Sequence, residues 1–119
     1  MRYLFLLHSA GEPLPPYGTP EYDEMYTAYT AATAAMDEAG VLVDCAPLQP
    51  AAAGTTVRVR DGRTLLTDGP AAEIKEQLGG YAVLECPDLD EALRWAATFP
   101  AAASASVEVR PIAVAEAPA

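Results

Sequence analysis

The sequence predicts an α+β domain in which an antiparallel sheet carries two long helices on one face and a β-hairpin is inserted between its halves. Three observations carry this reading. Two stretches with helical spacing, Pro20 to about Ala39 and Asp88 to Phe99, are each flanked by short strand-like runs. Asp61-Gly62 divides Thr55 to Asp68 into two equal arms. At 119 residues the chain has room for one core rather than two.

Each element has a local cause. Arg2 to His8 is a short apolar run bounded by a loop rich in Gly and Pro, which suits a central strand. Ser9 to Pro20 carries four prolines and two glycines and is read as an irregular lid or rim. In the first helix Tyr22, Met25/Tyr26, Tyr29, Ala32/Thr33 and Met36 recur at helical period, with Pro20 and Glu21 suiting the first turn and Gly40 the end. Val41 to Cys45 reads as a second strand and Ala46 to Gly54 as loop.

The Asp61-Gly62 turn accepts positive φ at both central positions and so sets the hairpin register, pairing Arg60 with Arg63, Val59 with Thr64, Val57 with Leu66 and Thr55 with Asp68. Asp68 then ends the Val57/Val59/Leu66 face. Pro70 is expected to open a short helix to about Leu78, stopped by Gly79-Gly80, before a strand from Tyr81 to Cys86. Asp88-Leu-Asp-Glu91 is a capping box for the second long helix, with Leu89, Ala92, Leu93, Ala96 and Phe99 on its apolar side and Pro100 at its end. Ser106 to Ile112 is the last strand, and 113–119 a frayed tail beyond a single domain spanning 1–112. Without the hairpin the order is βαβ-βαβ, the ferredoxin-like arrangement. Opposite the helices, Leu42/Asp44, Tyr81/Val83/Glu85 and Glu108/Arg110/Ile112 define a face mixing polar and apolar groups. Such a face suits a wet pocket or a subunit interface, and a homodimer with facing sheets is expected.

Composition narrows the function. A net charge of −10 repels nucleic-acid phosphates and anionic membranes, so neither is an expected partner. No apolar run approaches the ~20 residues of a spanning helix, and the apolar start is too short for a secretion signal. A cytoplasmic location is expected, with Cys45 and Cys86 as reduced, buried thiols. One histidine and two cysteines are too few for a metal site. No phosphate loop or nucleophile elbow is present, and no cofactor is expected.

Asp68-Gly69-Pro70, Glu73 with Lys75-Glu76, Gly79-Gly80, and Val107-Glu-Val-Arg-Pro-Ile112 together resemble the YCII-related proteins, in particular their DGPF branch. The resemblance covers nearly the whole chain. It implies a dimeric ferredoxin-like α+β barrel, similar to small lactone isomerases and polyketide-tailoring enzymes. It further implies a catalytic His/Asp pair, dehydrochlorination of hydroxylated aromatics in some members, and association with sigma factors in others. Two departures stand out: Ala71 occupies the place of the motif's Phe, and Tyr26 to Tyr29 stand where shorter members carry the suspected histidine.

His8, Asp68, Tyr26, Tyr29, Glu85 and Arg110 are the candidate site residues. His8 is the only histidine and ends the first strand; an imidazole, with an unperturbed pKa of ~6.5, suits proton transfer near neutrality. The competing role for a lone strand-end histidine is to donate to a loop carbonyl. Asp68 suits a base or substrate anchor at the edge of an apolar face, and equally a turn and helix-cap residue. Tyr26 and Tyr29 can stack an aromatic ligand, although a stripe at helical spacing ordinarily lines a core. Glu85 and Arg110, with Asp44 and Glu108, supply either an acid/base pair and anion clamp or ion pairs across an interface. Glu73, Lys75 and Glu76 read as a solvated helix face. The expected function is cofactor-free acid/base chemistry, isomerisation or elimination, on a small cyclic or aromatic metabolite. The competing class is a non-catalytic binding or regulatory module that partners another protein, such as a sigma factor.

Overall fold

Strand β1, Arg2–Ser9, lies inside the sheet, and its alternation decides what each face of the molecule is. Tyr3, Phe5 and Leu7 point to one side and are buried, whereas Leu4, Leu6 and His8 point to the other and are half-buried. The computed structural model describes residues 1–11, 14–71 and 76–118. After β1 come α1 (Pro20–Glu38), β2 (Leu42–Pro47), a 3₁₀ turn (Ala51–Ala53), β3 (Thr55–Arg60), β4 (Arg63–Asp68), β5 (Gln77–Glu85), α2 (Leu89–Ala96), α3 (Pro100–Ser104) and β6 (Ser106–Pro111).

The main sheet has the order β2-β5-β1-β6 with every neighbour antiparallel, and β3-β4 form a separate two-stranded sheet. This is the ferredoxin-like topology with an inserted hairpin. Tyr3, Phe5, Leu7, Ala82 and Leu84 from the sheet meet Ala32 and Met36 of α1, Ala92 and Ala96 of α2, then Phe99 and Ala101. All three helices therefore cover one face and leave the other bare.

Caps explain where the helices begin. The Thr19 hydroxyl accepts from the Tyr22 N–H at 3.2 Å, ahead of Pro20 in the first turn. Asp88 accepts from the Glu91 N–H at 2.9 Å, as the capping box predicts. Asp61 (φ 51°) and Gly62 (φ 72°) both take positive φ, and the hairpin pairs in the register that this turn dictates.

Several local expectations need correction. Gln77 to Gly80 do not end a short helix; they open β5, and the remainder of that expected helix, Ala72 to Lys75, falls outside the described residues. Pro100 does not end α2, which stops at Ala96; it opens α3, where a missing N–H costs nothing. Of the expected apolar side of the second helix, Ala92, Ala96 and Phe99 are buried, but Leu89 and Leu93 are 44% and 47% exposed, and Trp95 packs partly buried against the core. An irregularity between Leu42 and Asp44 separates two residues expected on one face: Leu42 pairs with Leu84 and packs on the core, while Asp44 pairs with Val83. Cys45, expected buried, is exposed on the outermost strand, and only Cys86 is buried.

A second irregularity, between Leu7 and His8, leaves Leu7 opposite Gly80 and His8 opposite Leu78. Gly80 is required by close approach, because a Cβ there would stand 3.0 Å from the Ala46 carbonyl oxygen. Gly80→Ala must push the Ala46–Pro47 backbone of β2 back by a few tenths of an ångström, and we expect a loss of about 1–3 kcal/mol, read as a lower urea midpoint at unchanged slope.

Candidate functional site

The bare face of the sheet collects chemistry because three strands converge on it. His8 pairs with Leu78 and Ser106, Leu6 with Tyr81 and Glu108, and Leu4 with Val83 and Arg110. Alternation places all of these side chains on the side away from the helices. His8 Nε2 lies 3.6 Å from Glu108 Oε1, and Arg110 Nε lies 3.4 Å from Glu108 Oε2. The carboxylate thus stands between an imidazole and a guanidinium. The His8 side chain is only 14% exposed, against 50% for Glu108. Its Nδ1 is buried without a hydrogen-bond partner among the described residues, so it makes no structural bond to a loop carbonyl there. A buried polar atom left unpaired costs about 1–3 kcal/mol, which marks this end of the sheet as incomplete.

Ser106, the cross-strand neighbour of His8, donates from its hydroxyl to Glu76 Oε2 at 2.7 Å. Neither residue stood out as a candidate in the sequence, because Ser106 becomes interesting only through its pairing with β1. Nor is Glu76 on a solvated helix face: it is half-buried where the chain enters β5. Glu73 and Lys75 lie outside the described residues.

An open cleft of about 510 Å³ lies between the 3₁₀ turn, the hairpin base and the start of β5. Pro50, Thr55, Gly69, Pro70 and Leu78 are among its walls. It reaches Leu78, the partner of His8, but the imidazole is not part of the lining. Asp68 precedes Gly69 and Pro70 on this rim; it is exposed, and its carboxylate has no ion-pair or hydrogen-bond partner among the described residues. The group that meets His8 is Glu108 rather than Asp68.

The other candidates lie elsewhere. Tyr29 packs toward Phe99 at 6.4 Å between ring centroids, on the helix side, where burial pushes its phenol pKa up. Tyr26 is 58% exposed and stacks on Tyr22 at 6.3 Å. The sheet's buried core separates both from His8. Glu85 shares the face of His8 but sits at the opposite end of β5, 3.4 Å from Arg2 Nε and equally close to the Met1 amine. Arg110 is the one substrate-binding candidate that joins the His8 group.

At the β2 edge Tyr81 donates its hydroxyl to Asp44 Oδ2 at 2.9 Å. This bond, with the carboxylate's charge behind it, holds the Tyr81 phenol above its ordinary pKa. A raised folded-state value stabilises the fold below the unfolded value near ~10 and is lost as pH climbs through the folded one. Alkaline stability should therefore fall less steeply in Tyr81→Phe, a difference that melting curves between neutral and strongly alkaline pH would reveal. Though exposed, the Cys45 thiol has its pKa raised, first by desolvation from its surroundings and then by the charge of Asp44. Asp44→Asn should consequently enlarge its thiolate fraction and speed labelling by a disulfide reagent at pH 8 several-fold.

Comparisons with known proteins agree with this architecture. The chain is 46% identical over 79 residues to an uncharacterized protein of Rhizobium meliloti (strain 1021), a match spanning 65% of this chain and 64% of that protein. Its structure is similar to that of 5-chloro-2-hydroxyhydroquinone dehydrochlorinase from Burkholderia phenoliruptrix AC1100, solved with 2,5-dihydroxybenzoquinone. That likeness has a TM-score of 0.51 at 15% identity, covering 95% of this chain and 94% of the other, and it concerns the fold. No helix among the described residues is long and apolar enough to cross a membrane. The sequence profile of the YCII-related domain matches residues 1–116, and the chain belongs to that family.

Proposed function

We propose that the protein is a cofactor-independent acid/base enzyme, an isomerase or lyase for a small cyclic or aromatic molecule, working at the bare sheet face of a homodimer. The observation that carries this is the His8–Glu108–Arg110 group: an imidazole 3.6 Å from a carboxylate whose other oxygen lies 3.4 Å from a guanidinium. His8 and Glu108 exchange the proton as a pair, with Nε2 facing the half-exposed carboxylate through which the proton reaches the substrate, and Arg110 anchors an anionic or enolic oxygen. Asp68, on the rim of the neighbouring cleft, serves as a second polar contact. Isomerisation and elimination fit because they require only positioned proton donors and acceptors.

A hydroxylated ring is the favoured substrate class, since the flat apolar bed of Leu4, Leu6, Val83 and Tyr81 suits a planar molecule. The dehydrochlorinase of like fold, solved with a dihydroxybenzoquinone, makes chlorinated hydroquinones the first compounds to test. Excess surface supports the dimer: the chain exposes 8483 Å², whereas a compact monomer of 12.5 kDa exposes only about 6,200 Å².

The test compares wild type with His8→Ala on hydroxylated and chlorinated ring compounds and on a cell extract, followed by mass spectrometry. Consumption of one compound by the wild type alone is expected, with loss of HCl marking elimination and unchanged mass marking isomerisation. Equal recovery of every compound from both proteins would overturn the enzyme reading. It would favour the other class, a non-catalytic module with a protein partner such as a sigma factor, for which the exposed hairpin described below offers a surface.

A further inference from the structure

The β3–β4 hairpin stands apart from the main sheet and has two unlike faces. Thr55, Val57, Val59, Thr64, Leu66 and Asp68 share one, in the observed register. Val57, Val59 and Leu66 are 60%, 59% and 67% exposed, an apolar face that nothing among the described residues covers. The other carries Arg58, and Arg60 and Arg63 flank the turn, three of the chain's seven basic residues. A lone two-stranded ribbon is marginally stable in water. The chain as a whole is extended, with a radius of gyration of 16.7 Å against about 13.5 Å for a compact domain of its length.

We propose that the hairpin is an arm that docks on the bare sheet face of a second copy, so that Val57, Val59 and Leu66 of the partner subunit form the missing wall over the His8–Glu108 site. The proposal rests on the homodimer and sheet-face site argued above and adds which element closes that site. Two observations select a second copy as the occupant. The surplus surface, about 2,300 Å², exceeds the ~800 Å² that each partner buries in an ordinary stable interface. Among the described residues both the arm and the Leu4/Leu6/Val83 face lie uncovered, and a two-fold exchange covers both at once. Side-chain placement sets the orientation: Arg58, Arg60 and Arg63 share the opposite face of the arm and stay in water while the valine face turns inward.

The experiment is a mixed-copy cross-link in a Cys45→Ser background, which removes the exposed native thiol. A chain carrying Leu66→Cys is mixed with a ¹⁵N-labelled chain carrying Leu4→Cys, and a short bismaleimide is added. Mass spectrometry is expected to find the two introduced thiols, one on the arm and one on the sheet face, linked between light and heavy chains. In parallel, Val57→Asp/Leu66→Asp should weaken the dimer at least tenfold by light scattering while the circular dichroism of the main sheet is unchanged. A dimer without the mixed link, or one as tight in the aspartate variant, would overturn the arm and leave the homodimer standing. A monomeric wild type would overturn both.

Discussion

Phe99→Ala is expected to lower the unfolding free energy by about 3–5 kcal/mol, the cost of emptying a large aromatic site that cannot collapse around the gap. Phe99 is 2% exposed and stands between the end of α2 and the start of α3. Its ring meets Phe5 edge-on at 6.1 Å and Tyr29 at 6.4 Å, so one side chain ties the sheet to two helical segments. The neighbours on those helices, Ala32, Ala92, Ala96 and Ala101, are too small to move into the space. Because a domain of this size holds only about 5–15 kcal/mol in total, much of its stability should go. Urea unfolding should show a sharply lower midpoint, and a change under about 1 kcal/mol would mean that the helix layer packs otherwise.

His8→Ala should reduce turnover of the substrate about 10²–10⁴-fold, the usual contribution of a positioned general acid or base. Arg110→Ala should instead raise KM with little change in kcat, as removal of an anchor does when it binds ground state and transition state alike. Glu108 is the half-exposed member of the pair, and it shares the proton with His8. Its readout is spectroscopic: the carboxylate beside Nε2 favours the tautomer with its proton on that nitrogen, and Glu108→Gln should redistribute the two forms. Since His8 is the only histidine, its ring ¹⁵N signals need no assignment. Unchanged signals in Glu108→Gln would remove Glu108 from the site even if activity fell.

Features governed by neighbours in sequence were legible in the chain. Asp61-Gly62 sets the hairpin register through its own φ angles, Asp88 caps α2 three residues before Glu91, and the period of Ala32 and Met36 marks the buried side of α1. The ferredoxin-like order followed from counting such elements. What stayed hidden depends on residues far apart in the chain. The irregularity between Leu42 and Asp44 breaks a simple alternation because β2 must follow β5. Leu89 and Leu93 look as apolar as the expected Ala92 and Ala96, yet only the two alanines are buried, because small residues let α2 approach the core closely. Histidine in the first strand and glutamate in the last were both visible as candidates, but nearly the whole chain separates His8 from Glu108, and only antiparallel pairing of β1 with β6 sets them 3.6 Å apart. By itself the sequence determined the elements, their order and the residue types open to acid/base chemistry, since caps, turns and periodicity act over a few residues. Only the tertiary structure decided which of those residues meet, because strand pairing and burial are set by the whole chain at once.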